Sequence, residues 1–184
     1  MKTSFLLLCS LLSLASCQKD AQVLPEIKPP ATATAVVTAA LNAMPDNAAF
    51  KIQLIKDNIN SDDTMILFKQ KAQLGYDPDE DGIYVQGNGQ VNLASISNDN
   101  TDLAINTLPY TPGMSIGLYM TVKSDGAYSL QLDYQKSLPA NTHIWLKDTY
   151  LKDSIDVRTQ AYKFIVTKAD TNSFGSKRFK LTIR

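Results

Sequence analysis

The sequence predicts an all-β fold, an antiparallel β-sandwich (Ig-like or jelly-roll-like) of about nine or ten strands behind a flexible tether. Three observations predict it. From residue 50 onward apolar and polar residues alternate at period two, the mark of strands buried on one face. The alternating runs are short and are separated by Gly, Pro, Asn and Asp. Before residue 50 that alternation is missing, and Ala, Thr and Pro prevail instead.

The chain begins with Lys2, an apolar run from Phe5 to Leu14, and the tetrad Leu14-Ala15-Ser16-Cys17. A basic start, a short apolar stretch and small residues before a cleavage point make residues 1–16 a signal peptide. The run is about half the ~20 residues that a membrane-spanning helix needs, and no later segment approaches that length. The tetrad resembles the lipobox of bacterial lipoproteins, which implies cleavage before Cys17 and acylation of its thiol. The membrane is then a partner through the lipid anchor, and several acyl chains at ~0.8 kcal/mol per buried methylene hold firmly. Cys9 is the only other thiol and leaves with the signal peptide, so no disulfide is expected.

Residues 17–49 read as a lipidated tether. Pro25, Pro29, Pro30 and Pro45 oppose regular pairing, and Ala31-Thr32-Ala33-Thr34-Ala35 offers little apolar area to offset the entropy of ordering.

The folded domain is expected over 50–184. Phe50, Ile52 and Leu54 share one face of a first strand, and apolar runs near Met65–Phe68, Val91–Ile96 and Leu103–Ile105 follow. Ile116, Leu118, Met120 and Val122 alternate with polar positions, as do Tyr128, Leu130, Leu132 and Tyr134. Ser124-Asp125-Gly126 lies between these two, and a glycine that tolerates positive φ predicts an antiparallel hairpin there. Ile144–Leu146, the Tyr162-Phe164-Val166 face and the Phe179-Leu181-Ile183 face complete the set.

Several segments resemble a β-sandwich module of exported Bacteroidetes surface proteins that precedes type IX secretion sorting domains. They are Tyr76-Asp77-Pro78-Asp79-Glu80-Asp81, Leu103 to Pro109, Gly126-Ala127-Tyr128-Ser129, Ile144 to Tyr150, and the ending Tyr162-Lys163-Phe164 with Arg178-Phe179-Lys180-Leu181. The resemblance implies a stalk-like or accessory module without catalytic residues, here with its own lipidation signal and no sorting domain after Arg184. It also implies an outer-membrane lipoprotein, facing the periplasm or the cell surface. Gln18-Lys19-Asp20 offers one acidic residue where a surface-export tag carries more.

Once Lys2 is removed, acidic side chains outnumber basic ones by one, with no long run of either sign, which argues against a nucleic-acid partner. The single histidine, His143, has no cysteine partner in the mature chain, and no Gly-x-Ser-x-Gly elbow accompanies it. No enzyme activity is expected. Asp77, Asp79 and Asp81 alternate like the opening of a calcium loop, but Asn88 stands where an EF-hand needs its glutamate, so calcium is a possible cofactor only in another geometry. Tyr119 occupies the polar phase of its strand and Trp145 is out of phase with Ile144 and Leu146, which marks both as candidate ligand-binding residues. The expected function is a structural or adhesive envelope module that contacts other envelope or surface proteins. The alternative is a carbohydrate-binding lipoprotein of a polysaccharide-utilisation system.

Overall fold

The computed structural model describes residues 44–184. The signal peptide, Cys17 and the tether up to residue 43 lie outside the described residues. Eleven strands follow: β1 (Ala49–Ile55), β2 (Ser61–Phe68), β3 (Gly82–Ile83), β4 (Val91–Ile96), β5 (Asp102–Leu108), β6 (Ser115–Val122), β7 (Gly126–Lys136), β8 (Ile144–Asp148), β9 (Asp153–Asp156), β10 (Tyr162–Val166) and β11 (Phe179–Ile183). The all-β expectation holds. The period-two runs become strands whose alternate residues are buried, as in β6, β8 and β11.

The strands form one mixed sheet in the order β10-β7-β1-β2-β5-β4-β6-β11-β8-β9, with β3 paired to β5 off this path. Rolled nearly shut, the sheet brings its two halves face to face over a single core. Phe50, Ile52 and Leu54 of β1 and Tyr128 and Leu130 of β7 share that core with Leu118 and Met120 of β6 and Phe179 and Leu181 of β11. All pairings are antiparallel except β2 with β5, which run parallel and join the halves. Met44 and Ala48, just before β1, also pack into the core.

Where β5 diverges from β4, side chains replace the missing ladder. The Ser95 N–H donates to Thr64 Oγ1 at 3.1 Å, and Thr64 Oγ1 donates to the Leu103 carbonyl at 3.0 Å. Asp62 Oδ2 accepts the Leu93 N–H at 2.9 Å and the Tyr84 hydroxyl at 2.6 Å. Burial and this carboxylate both raise the Tyr84 phenol above its ordinary value.

Two local expectations are corrected. β6 and β7 do not form a hairpin: β6 pairs with β4 and β11, and β7 with β1 and β10. Gly126 does take positive φ, at 142°, but the link carries the chain from one half of the rolled sheet to the other. Asp125 Oδ1 accordingly accepts the Lys168 N–H, at 2.7 Å, beside the end of β10. Both strands still bury their alternate apolar residues, because they face each other across the core instead of lying side by side. Tyr134 is not in core phase. The register of β1 against β7 shifts between Lys51 and Ile52, so Leu132 lies opposite Ile52 and Tyr134 opposite Lys51, which leaves Tyr134 exposed.

Candidate functional site

Three of the segments behind the resemblance, Ile144 to Tyr150, Tyr162-Lys163-Phe164 and Arg178 to Leu181, meet at the seam between the sheet's two ends. Arg178, one residue before β11, has a fully buried side chain that donates from Nη2 to Asp148 Oδ2 at 2.9 Å and from Nε to the same oxygen at 3.1 Å. Its Nη1 donates to the Ile165 carbonyl of β10 at 3.0 Å and to the Ser173 carbonyl. The Tyr162 hydroxyl donates to Asp148 Oδ2 at 3.2 Å, and Asp148 Oδ1 accepts the N–H groups of Tyr150 and Leu151. The guanidinium carbon lies 4.6 Å from the Phe164 ring centroid, 4.8 Å from that of Phe179 and 5.1 Å from that of Tyr150. The network links β8, β10 and β11 across the seam that backbone pairing leaves open. A buried charge needs this many partners, so the chemistry of Arg178 and Asp148 is used up inside the fold.

The same network presents Tyr150 outward. One ring face rests on Arg178, and the hydroxyl donates to Asp170 Oδ2 at 2.8 Å. That bond raises the phenol above its ordinary value, and Asp170 is held below the usual carboxylate range by the Asn172 N–H and this hydroxyl. The ring is therefore fixed while 41% of the residue stays exposed. It lines an open cleft of about 480 Å³ together with Thr171, Ser176 and Lys177. A second cleft, of about 500 Å³, is lined by Lys147, Lys152, Asp153 and Ser154. Thr149 lines both.

The outer face of β6, β11 and β8 continues from these clefts. Trp145 and Lys147 point outward from β8, where Trp145 lies opposite Thr182 and Lys147 opposite Lys180 of β11. Lys180 in turn lies opposite Gly117 of β6, and half-buried Tyr119 is two residues further along that outer face. The fold thus brings Tyr119 and Trp145 to one surface, separated by β11. Sequence reasoning missed Tyr150, Lys147 and Lys180. The cross-strand lysine pair depends on the β8 to β11 register, which joins segments far apart in the chain.

In the acidic turn, backbone N–H groups engage two of the three aspartates. Asp77 Oδ1 accepts the Asp79 N–H at 3.0 Å, while Asp81 accepts the Asp77 N–H through Oδ2 at 2.8 Å and the Thr107 N–H through Oδ1 at 2.6 Å. Glu80 pairs with Lys69. Among the described residues no group of three or more His, Cys, Asp or Glu side chains is placed to hold a metal ion. Here Asp77 and Asp81 hold the turn against β5.

His143, just before β8, meets a partner that the sequence did not suggest. Its Nδ1 donates to Asp156 Oδ2 at 2.6 Å, and Asp156 Oδ1 accepts the N–H groups of Ile144 and Arg158. Burial works to raise the Asp156 carboxyl, but the bonds from His143, Arg158 and Ile144 outweigh it and hold the group below its ordinary value. The pair fastens the start of β8 to the end of β9.

The architecture defines the class, an all-β domain made of one mixed and nearly closed sheet. Within that class, the chain belongs to the family described as Domain of unknown function (DUF8693), whose sequence model matches residues 38–182. No curated protein and no solved structure matches the chain.

Proposed function

We propose that this chain is a non-catalytic lipoprotein of the bacterial outer membrane, anchored through Cys17, whose β-domain contacts other envelope or surface proteins. The observation that carries the reading is the division of labour within the domain. Arg178, Asp148, Asp81 and Asp62 all hold backbone or seam, whereas Tyr119 and Trp145 share the outer face of the sheet and exposed Tyr150 lines a cleft beyond the end of β8. Aromatic residues on an outer face are what an interface uses as anchors. Cys17→Ser should release the protein from the membrane fraction and end labelling by palmitate. Trp145→Ala should reduce the envelope proteins captured from a detergent extract by the tagged wild-type chain. Failure of the wild-type protein to take up label would remove the lipoprotein reading, and identical capture by both forms would remove the interface.

The two clefts that meet at Thr149 favour a second reading, a carbohydrate-binding lipoprotein of a polysaccharide-utilisation system. Open clefts beside a fixed aromatic ring suit a sugar chain better than they suit a small molecule that must be enclosed.

A further inference from the structure

We infer that the outer surface running from Trp145 past Lys147 and Lys180 to Tyr150 and Lys177 binds an acidic polysaccharide, an inference that rests on the carbohydrate reading and gives it a site and a charge. The track is extended. Trp145 and Thr149 lie about 13 Å apart at the rise of a strand, and the two clefts flank Thr149. A chain of several sugar residues fits this form.

The charge of the track argues for an acidic ligand. Lys147 and Lys180 are directly opposite each other on adjacent strands and both are exposed, an arrangement that destabilises a sheet. Among the described residues no ion pair or hydrogen bond from the side chains of Lys147, Lys152, Lys177 or Lys180 relieves it. Asp153 is the one carboxylate lining the two clefts, and Asp170, at the Tyr150 hydroxyl, is the acid beside the first. Lys168 adds a further cation, 4.2 Å from the ring centroid of Phe174, which lines the first cleft. Cations gathered along an open track raise the local concentration of an anionic polymer.

The aromatic groups argue for sugar over other polyanions. With one face of Tyr150 on Arg178 and its hydroxyl held by Asp170, the ring is a rigid platform whose exposed surface faces the cleft. A pyranose ring can lie on it at little entropic cost, because the platform is already immobilised. The Thr171 and Ser176 side-chain hydroxyls, which line the same cleft without a hydrogen bond among the described residues, can serve sugar hydroxyls. Trp145, 37% exposed, supplies a second platform at the other end.

Affinity electrophoresis of the mature lipoprotein in non-ionic detergent tests the inference, with polygalacturonate and alginate as acidic probes and dextran and laminarin as neutral ones. The acidic polymers should retard the wild-type protein and the neutral ones should not, with retardation falling as salt rises. Lys147→Ala with Lys180→Ala should weaken binding at least tenfold. Tyr150→Ala should do the same while Tyr150→Phe, which keeps the ring, retains most of it. Thermal melts of each variant separate lost binding from lost folding. If no polysaccharide retards the wild-type protein, the carbohydrate reading fails as a whole. If acidic polymers bind and the double-lysine variant binds them equally, the site alone is wrong. Retardation by neutral polymers only, or equal retention on single-stranded DNA, would overturn the acidic-sugar assignment.

Discussion

Arg178 and Lys180 are two residues apart at the start of the last strand, and they sit in opposite circumstances. Arg178 is buried, bonded to one carboxylate and two carbonyls, and covered by three aromatic rings. Lys180 is exposed and its cross-strand neighbour, Lys147, carries the same charge. Burial with partners marks the charges that belong to the fold. Desolvating a cation is tolerable only when its partners are supplied, so the residues around Arg178 are fixed by stability. Two facing lysines on an outer surface add nothing to strand pairing, and the inferred polysaccharide site gives them a use.

The largest effect is expected at the buried cation. Arg178→Met should cost about 3–5 kcal/mol in urea denaturation, because Asp148 is left charged without its cation and Ile165 and Ser173 lose a donor. Pairing it with Asp148→Leu should recover part of that loss, since removing both charges avoids the orphan. A loss below 1 kcal/mol for the single variant would show that the seam is not held there.

A smaller effect is expected at the acidic turn, which also places its charges inside the fold. Asp81→Ala frees the N–H groups of Asp77 and Thr107 and should cost about 1–3 kcal/mol. The cost should be the same in millimolar calcium and in chelator. A melting temperature of the wild-type protein that rises by several degrees with calcium, and no longer does so in Asp81→Ala, would assign a metal to the turn.

The sequence foretold the buried faces better than the connections. Alternation in Ile116–Val122 and Tyr128–Leu132 marks the core residues because side-chain direction depends only on the local pleat. It says nothing about neighbours, and so Ser124-Asp125-Gly126 looked like a hairpin when it is a passage between the two halves. A bulge is equally silent in the sequence, which is why Tyr134 was placed with the core. Trp145 and Tyr119 were legible as outward residues from their phase alone. Arg178 was not, since alternation back from Phe179 assigns it the outward phase, and only its partners on β8 and β10 explain its burial. The two-residue β3 and the four-residue β9 are too short to carry a periodic signal.

Acid should separate the two kinds of charge. The carboxyl of Asp156 is held below its ordinary value of 3.8 in the folded state, so the unfolded chain takes up this proton first as pH falls. The stability it contributes is complete above that ordinary value and is lost as pH drops through the lower, folded one. Asp156→Asn should flatten the stability curve below about pH 4 relative to wild type, as read by urea midpoints across pH. Unchanged acid sensitivity would mean that the bonds from His143, Ile144 and Arg158 contribute nothing to folding.

The smallest effect addresses the outer lysines directly. Lys180→Glu places an acid opposite Lys147 in the same register, turning a like-charge pair into an opposite one. The gain is expected at about 0.2–1 kcal/mol, because exposed cross-strand pairs are worth no more. Its sign under salt is the sharper measurement. Salt screens repulsion in the wild-type protein and attraction in the variant, so between low and moderate ionic strength the wild type should gain stability relative to the variant. The variant should at the same time lose its hold on acidic polysaccharide. A variant that is more stable and binds less well would separate a residue kept for contact from one kept for folding. Equal salt dependence in the two proteins would mean that Lys147 and Lys180 are too well solvated to sense each other.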